Sequence, residues 1–330
     1  MSSATRTAPM PSKPQRSLAT VDLSVRLGPL RLKNPVLVAS GTFGYGLEFT
    51  RVFDIRKLGG IIGKSLTRKP RLGNPPPRAV EVPGGMLNNI GLENKGMDYF
   101  LAETLPEVRR YKVPFIANIA GTDLDEYVWL AKRLEQGAAG RGVDAIELNV
   151  SCPNVREGGI HFGVSPEATA KLLRAVRRVT GLPLITKLTP NCSDIPGVAR
   201  AAVKAGSDML SAVNTFPAMV IDWRRRKPFL GGVTGGLSGP VLKCIALRIL
   251  WIACRSVDVP VIGIGGISTA DDAMDYLVTG ARAIQVGTAN FVDPSAALRV
   301  VEGLPERVRS AGARRIRDLI GTLQGEAPMC

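Results

Sequence analysis

Cys152 is the residue in this chain whose type and surroundings most clearly suggest chemistry. It lies between Asn149 and Asn154, directly after an apolar run, and these asparagines favour a functional role over a structural one. A cysteine can act as a nucleophile when a histidine contacts it, or as a general base without one. The only histidine, His161, comes nine residues later, and nothing in the sequence places it against Cys152. Cys192, after a later apolar run, is a weaker candidate.

Polar residues and glycines stand at the ends of eight apolar runs. In chain order they are Ser40 with Gly41, Lys64 with Ser65, Asn118, Asn149 with Cys152, Lys187, Asn214 with Thr215, Gly265 with Gly266, and Gly287 with Thr288. Burying such a polar group without a partner costs about 1–3 kcal/mol. A polar ligand is the simplest partner for the whole set.

Lys64 and Lys187 admit two interpretations. A lysine that forms a Schiff base needs an apolar pocket that lowers its pKa, as in an aldolase. The other residues that end the apolar runs are asparagine, serine, threonine and glycine, so the setting is polar. This composition favours permanent positive charges that stabilise an electron-rich ring.

The glycine pairs predict a phosphate site. Gly265 and Gly266 end the seventh apolar run, and Gly287 and Thr288 end the eighth. In barrels of alternating strands and helices these two positions frequently hold a phosphate on backbone N–H groups. The alternative is that both pairs are only tight turns.

The elements that must position these residues form a regular alternation. The strand-length apolar runs cover 35–40, 60–66, 115–121, 145–151, 184–190, 209–215, 261–266 and 283–289. Helical periodicity occurs over 124–136, 166–179, 195–205, 240–254, 269–278 and 296–310, with N-caps expected at Ser165 and Ser268. Near-continuous aliphatic strands are typical of a parallel sheet buried on both faces. The pattern predicts an α/β fold, a (β/α)8 TIM barrel, because the third glycine of a dinucleotide-binding turn is absent after Gly44 and Gly46.

The same pattern predicts the domain organisation. Residues 1–20 are expected to be a disordered tail, residues 21–313 a single barrel domain, and residues 314–330 a C-terminal tail. A hairpin over 21–32 is expected to close the bottom of the barrel. Longer insertions at 67–92 and 216–238 are expected to cover its top.

Composition excludes several classes of protein. The 43 lysines and arginines against 28 acids give a net charge of +15, but the charge is scattered and only 5% of residues are aromatic. The sequence therefore predicts no nucleic-acid binding, and the basic surface is either simply solvated or a docking face for an acidic partner. No metal site is expected from five widely spaced cysteines without a C-x-x-C pair. With no 18-residue apolar stretch, no membrane association is expected, and the cytoplasm is the expected compartment.

Five motifs together resemble those of dihydroorotate dehydrogenases. They are the segments Leu87 to Asn94, Asn149 to Val155, Asn214 to Phe216, Gly235 to Pro240 and Ile264 to Ile267, in that order. The likeness runs from about Val21 to Pro294, so it covers almost all of the chain except the two tails. It implies a flavin-binding barrel that oxidises dihydroorotate to orotate in pyrimidine biosynthesis.

The resemblance also implies a set of site residues. FMN would contact Ser40, Lys64, Ser65, Asn118, Asn149, Lys187, Val213, Gly239, Gly265, Gly266, Gly287 and Thr288. The substrate would contact Lys64, Asn88, Asn89, Ile90, Gly91, Leu92, Asn149, Asn154, Asn214 and Thr215. Cys152 would remove the proton from C5 of dihydroorotate, while hydride leaves C6 for the flavin.

Within the family, the chain is similar to the soluble branch with a catalytic cysteine. The segments 152–159 and 222–228 resemble the NAD-linked heteromeric form more than the fumarate-using homodimer, which stays the alternative. The resemblance implies a homodimer that also binds an electron-transfer subunit carrying FAD and a 2Fe–2S cluster. Lys95 departs from the family pattern, in which proline often stands at this position.

Overall fold

A closed barrel of eight parallel strands forms the centre of the structure. The computed structural model describes residues 20–137, 142–151 and 162–325. In the barrel each strand pairs with the next barrel strand along the chain, and the last pairs with the first. The predicted (β/α)8 TIM barrel is thus confirmed.

The strands are short. In chain order they are β1 (Val25–Leu27), β2 (Leu30–Leu32), β3 (Val36–Val38), β4 (Gly60–Ile62), β5 (Ala79–Val82), β6 (Gly85–Asn88), β7 (Phe115–Ile119), β8 (Ala145–Asn149), β9 (Leu184–Lys187), β10 (Met209–Ala212), β11 (Phe216–Ala218), β12 (Ile221–Asp222), β13 (Lys227–Pro228), β14 (Gly235–Ser238), β15 (Val261–Ile264) and β16 (Ala283–Val286). The barrel consists of β3, β4, β7, β8, β9, β10, β15 and β16. The barrel strands are buried along almost their whole length, as their aliphatic sequences require.

Helices cover the outside of the barrel. They are α1 (Met97–Tyr99), α2 (Leu105–Arg109), α3 (Leu124–Gly137), α4 (Pro166–Arg177), α5 (Ile195–Lys204), α6 (Lys243–Ser256), α7 (Ala270–Thr279), α8 (Ala289–Val292) and α9 (Ala296–Ser310). Each predicted helical segment corresponds to one of α3, α4, α5, α6, α7 and α9. The sequence pattern does not predict α1 and α2, which a π-helical turn over Phe100–Thr104 joins. Pro106 has no N–H to donate to the preceding turn, and this interruption obscures the helical pattern.

Side-chain caps fix where two of these helices begin. Ser165 accepts a hydrogen bond from the Ala168 N–H at 3.3 Å, so the predicted cap of α4 is confirmed. The cap of α7 is Thr269, and the expectation of Ser268 was wrong by one residue. Thr269 and Asp272 form a reciprocal capping box, in which each side chain accepts from the backbone N–H of the other.

The β1–β2 hairpin closes the amino-terminal end of the barrel, as predicted. A Cβ atom added to Gly28, at its turn, would lie 3.2 Å from the side chain of Met209, the first residue of β10. The C-terminal segment packs nearby, because the Ile316 N–H donates to the Asp22 carbonyl at 2.9 Å and the Ile316 side chain is buried. Contacts with the barrel therefore continue past residue 313, the boundary that the sequence suggests.

The two predicted insertions meet above the carboxyl ends of the barrel strands. They form one antiparallel sheet in the order β11-β14-β6-β5. Asn88 of β6 pairs with Gly236 of β14, although 148 residues separate them. Strand β11 of this sheet begins at Phe216, shortly after β10 ends at Ala212, so the sheet covers the same end of the barrel as the predicted site residues.

Candidate functional site

The carboxyl end of the barrel gathers the polar residues that the sequence singled out. Asn118, Asn149 and Lys187 lie at or near the ends of β7, β8 and β9. Ser40, Lys64, Ser65, Val213, Asn214, Thr215, Gly265, Gly266, Gly287 and Thr288 lie in the segments directly after other barrel strands. Because the eight strands are parallel, all these residues surround one opening. The other predicted residues described below lie on the sheet above it.

A chain of hydrogen bonds leads from this opening into the barrel. The Ser40 and Ser65 hydroxyl oxygens are 3.4 Å apart, and Ser65 donates to Asn118 Oδ1 at 2.5 Å. Asn118 Nδ2 donates in turn to Glu147 Oε1 at 2.7 Å. Asn118 and Glu147 are fully buried. The side-chain orientation of Asn118 is thus fixed from both sides.

Glu147 connects several strands from inside the barrel. Its Oε2 accepts hydrogen bonds from Ser211 Oγ at 2.8 Å and from Gln285 Nε2 at 3.0 Å. Lys187 Nζ lies 3.8 Å from its Oε1. The Lys187 side chain is 8% exposed and Glu147 is not exposed at all, so this is a buried ion pair. A charged lysine at this position is therefore compatible with its burial.

Two asparagines and a threonine form a second polar group beside Lys187. Asn214 Nδ2 donates to Asn149 Oδ1 at 3.1 Å, and the Thr215 N–H donates to Asn214 Oδ1 at 2.8 Å. Asn149 and Lys187 are register partners on adjacent strands. Tyr127 donates to the Asn149 carbonyl at 2.6 Å and so anchors this end of β8 from α3. These amides offer both donors and acceptors to a planar polar ligand.

The two lysines differ in their surroundings. Lys187 is buried and paired with Glu147, whereas Lys64 is partly exposed and forms no ion pair with any residue in the described ranges. The Lys64 ammonium group is therefore available to an anionic ligand. This polar setting matches fixed positive charges better than a Schiff-base lysine.

The glycine turns after β15 and β16 present uncommitted backbone donors. Within the described residues, the N–H groups of Gly265, Gly266, Gly287 and Thr288 donate to no protein acceptor. Gly265 and Gly266 also have a packing role. A Cβ atom added to Gly265 would lie 2.6 Å from Ala246 Cβ, and one added to Gly266 would lie 2.9 Å from the backbone nitrogen of Lys243. At Gly287 an added Cβ would approach no atom closer than 3.5 Å. The uncommitted donors suit an anion such as phosphate.

A charged cluster supports the turn at Gly266 from outside. Lys243 Nζ lies 2.5 Å from Asp272 and 2.7 Å from Asp275. Burial acts to raise the pKa of Asp272, but hydrogen bonds from Lys243, Ser268 and Thr269 outweigh it and hold the pKa below its usual value. Burial acts to lower the pKa of Lys243, and its bonds with Asp272 and Asp275 reverse this and raise it. Lys243 and Asp272 therefore stay charged over the neutral pH range, and their contact fixes α6 against α7.

The predicted substrate segment lies in and after β6. Asn88 Nδ2 donates to the Gly236 carbonyl at 3.2 Å, and Asn89 accepts from Asn74 through both its side-chain and its backbone oxygen. The Asn74 N–H donates to the Ile90 carbonyl at 2.9 Å. Gly91 and Leu92 both have left-handed backbone conformations, with φ of 78° and 57°. The segment is thus held in a defined bend.

Gly239 follows β14 at the point where the two insertions meet. Its φ is 106°, and an added Cβ would lie 2.7 Å from the Gly85 Cα. The close approach of two backbones therefore explains this glycine.

Val213 is buried, and its N–H donates to the Ile264 carbonyl at 3.3 Å, which joins the end of β10 to β15.

Cys152, Asn154 and His161 lie outside the described residues. Cys192, the weaker cysteine candidate, lies within the described residues. Burial raises the pKa of Cys192, and its Sγ contacts the Val164 carbonyl at 3.6 Å. A raised pKa leaves less of the reactive thiolate at neutral pH, so Cys192 is poorly suited to act as a base.

The sequence pattern does not predict Glu147, Ser211 and Gln285 as site residues. Each stands inside an apolar run, so none of them marks the end of a strand. The available signal was the charge of Glu147 itself, because an acidic residue inside a buried strand requires partners.

In the part of the chain that the structure describes, no helix is both long and apolar enough to cross a bilayer.

Comparison with known proteins identifies close relatives. The family model described as dihydroorotate dehydrogenase matches residues 22–308. A protein of Geotalea daltonii named dihydroorotate dehydrogenase B (NAD(+)), catalytic subunit, is 48% identical over 93% of this chain and 100% of its own length. Proteins of the same name from Trichlorobacter lovleyi and Bacteroides thetaiotaomicron are 50% and 45% identical, each over 92% of this chain and 99% of their own length.

Proposed function

This chain belongs to the dihydroorotate dehydrogenase family, and from that premise we propose that it is the catalytic subunit of an enzyme that oxidises dihydroorotate to orotate with NAD as final acceptor. The reaction is a step of pyrimidine biosynthesis. The observation that carries the proposal is the meeting of Lys187, Asn149 and Asn214 at one end of the barrel. Their ammonium and amide groups suit an anionic ring that contains amides.

The residues at this opening fit FMN as the resident cofactor. The uncommitted N–H groups of Gly265, Gly266, Gly287 and Thr288 would hold its phosphate. Ser40, Lys64, Ser65, Asn118, Asn149, Lys187, Val213 and Gly239 would hold the rest of the molecule. When bound, FMN supplies an acceptor for the hydride of the substrate. The charge of Lys187 would favour an electron-rich flavin ring.

The substrate would lie between the barrel and the sheet of the two insertions. The Lys64 ammonium group, which forms no ion pair within the described residues, would bind its carboxylate. The amides of Asn88, Asn149 and Asn214 would bind the ring amides, together with Asn89, Ile90, Gly91, Leu92, Asn154 and Thr215. Several donors on separate elements would fix the ring in one orientation, and this accelerates a reaction by removing unproductive poses.

Cys152 would act as the general base that removes the C5 proton. This assignment comes from the family motif, because the residue lies outside the described ranges. A free thiol has a pKa of about 8.5 and is mostly protonated at neutral pH. The site must therefore position the thiol against the C–H bond. Positioned general bases contribute about 10²–10⁴-fold to rates.

Transfer of electrons to NAD requires a second protein. The relatives are named catalytic subunits of an NAD(+) enzyme, which favours NAD over the fumarate alternative. We infer a homodimer of this chain that binds an electron-transfer subunit with FAD and a 2Fe–2S cluster. An enzyme of this kind would work in the cytoplasm.

An anaerobic visible spectrum of the purified chain tests the proposal. We expect a flavin band that dihydroorotate bleaches and that neither NAD nor fumarate restores without the second subunit. Recovery with fumarate alone would support the homodimeric alternative. A chain that takes up no FMN, or whose flavin dihydroorotate does not reduce, would contradict the proposal.

A further inference from the structure

We propose that Glu147 is a positioning residue that sets the reduction potential of the flavin. The inference rests on the proposed function, because Glu147 acts through two residues of the FMN site. Its carboxylate is fully buried inside the barrel. It contacts Asn118 at 2.7 Å, Ser211 at 2.8 Å, Gln285 at 3.0 Å and Lys187 at 3.8 Å.

Every one of these neighbours presents a donor to Glu147. Oε1 faces the Asn118 amide nitrogen and the Lys187 ammonium, and Oε2 faces the Ser211 hydroxyl and the Gln285 amide nitrogen. Two acceptor oxygens surrounded by donors are the arrangement that an ionised carboxylate requires. The barrel therefore holds a negative charge directly beneath the site.

The first effect of Glu147 is on the direction of hydrogen bonds at the opening. Because Asn118 Nδ2 donates to Glu147, its Oδ1 must face Ser65 and accept the Ser65 proton. A hydroxyl has only one proton to donate. Ser65 can then only accept from Ser40 or from a ligand, so Glu147 determines that this part of the site offers acceptors.

The second effect is on the charge of Lys187. Lys187 Nζ and Glu147 Oε1 are 3.8 Å apart, which is too far for a hydrogen bond. The Coulomb interaction between the two charges is still strong, because both side chains are buried. Glu147 therefore offsets part of the positive charge that Lys187 presents to the flavin. Removing the negative charge should favour the electron-rich reduced flavin, and so raise the midpoint potential.

The barrel accommodates a neutral side chain at this position. Among the described residues, no donor reaches Gln285 Oε1. In Glu147→Gln, the Gln285 side-chain amide can rotate by about 180°, so that its Oε1 accepts a hydrogen bond from the Nε2 of the substituted residue 147. The Ser211 hydroxyl can rotate in the same way. The Asn118 contact at Oε1 is kept, so this variant removes the charge and little else.

The test is an anaerobic redox titration of the flavin-loaded chain, combined with FMN affinities in both oxidation states. We expect Glu147→Gln to increase the preference for reduced over oxidised FMN by about tenfold, which is about 30 mV for a two-electron couple. The matched control is Ser211→Ala, which removes one hydrogen bond to the same carboxylate but no charge. It should leave the midpoint potential unchanged. A wild-type potential in Glu147→Gln, or an equal shift in the control, would overturn the proposal.

Glu147→Asp provides a second test if Glu147→Gln does not fold. It keeps the charge but is too short for the Asn118 contact, so the affinity for FMN should fall while the potential shifts less than in a neutral variant. An FMN affinity equal to that of the wild type would also overturn the inference. Failure of the proposed function shows separately, as a wild-type chain that binds no FMN or is not reduced by dihydroorotate.

Discussion

Cys152 and Lys187 have different parts in the proposed reaction, and each can be removed alone. We predict that Cys152→Ala binds FMN like the wild type but is reduced by dihydroorotate about 10²–10⁴-fold more slowly, since the general base is lost. Stopped-flow bleaching of the flavin measures this rate. The matched control is Cys244→Ala, which changes an exposed cysteine on α6 and should have no effect. Wild-type reduction by Cys152→Ala would disprove the assignment.

Lys187→Ala should weaken FMN binding and lower the midpoint potential, because it removes the positive charge that would favour the reduced flavin in the proposed site. This shift is opposite in sign to the one expected for Glu147→Gln, so the two variants test the same electrostatic argument from both sides. Lys204→Ala, at an exposed position in the last turn of α5, is the control. Unchanged occupancy and potential in Lys187→Ala would count against its place in the site.

At this scale the sequence predicted the residues that end strands but not those within them. Ser65 and Lys187 could be found because a polar group at or just beyond the end of a buried strand needs a partner. Glu147 and Gln285 lie inside such runs, and their contact depends on which strands face each other across the closed barrel. That pairing is a property of the tertiary structure, which local sequence does not contain.

Among the elements, the sheet of the two insertions most directly shapes the proposed substrate site. An added Cβ at Gly236 of β14 would contact Thr215 Oγ1 and lie 2.8 Å from Thr215 Cβ. We predict that Gly236→Ala displaces Thr215 and weakens dihydroorotate binding by about tenfold, within the usual cost of overpacking.

The KM for dihydroorotate, measured beside the urea unfolding midpoint, checks this prediction. Gly181→Ala is the control, because the nearest atom to its added Cβ is the Glu135 carboxylate oxygen at 3.6 Å. A KM equal to that of the wild type in Gly236→Ala would show that Thr215 does not contribute to binding.

The capping box of α7 permits a prediction on stability alone. Thr269→Ala removes the acceptor of the Asp272 N–H, a bond of 3.1 Å, and should lower the free energy of unfolding by about 0.5–2 kcal/mol. Urea unfolding followed by circular dichroism measures the change. Thr279→Ala, in the last turn of the same helix, removes only an exposed bond and should cost less. Equal losses in the two variants would argue against a special role for the cap.

The elements themselves were largely predictable, and their long-range pairing was not. Periodicity placed the barrel strands and the helices α3 to α7 and α9, because burial imposes a repeat on local sequence. The helix over 97–109 was missed since Pro106 interrupts it. The pairing of β6 with β14 joins segments about half the chain apart, and the glycines of β14 carry no strand signal.

Across the whole molecule, the two ends of the described chain close the barrel together. Ile316 is fully buried, and its N–H bonds to the Asp22 carbonyl. We predict that Ile316→Ala lowers the free energy of unfolding by about 2–5 kcal/mol through the cavity it leaves. Leu323→Ala, at a position that is 52% exposed, is the control and should change it much less. A small effect at Ile316 would mean that this segment docks only loosely.

The net positive charge of the molecule either is simply solvated or serves to dock an acidic partner. Basic side chains such as Arg307 and Arg315 are paired with nearby acids on the surface, Asp271 and Asp318. Such exposed pairs contribute little to stability. Binding of the proposed electron-transfer subunit at low and at high salt would show whether the remaining positive charge serves docking, since screening weakens only an electrostatic contact.

The pairing of Asn88 with Gly236 has a consequence for how the protein is made. A ribosome delivers the N-terminal part of a chain first, and domains generally begin to fold in that order. Six of the eight barrel strands and both strands of the first insertion are complete before β14 has been synthesised. During that interval β6 has no partner on the side that β14 will occupy. The sheet over the proposed substrate site is thus among the last parts to assemble. A nascent chain stalled before residue 235 would expose an unpaired strand edge, which is a target for chaperones.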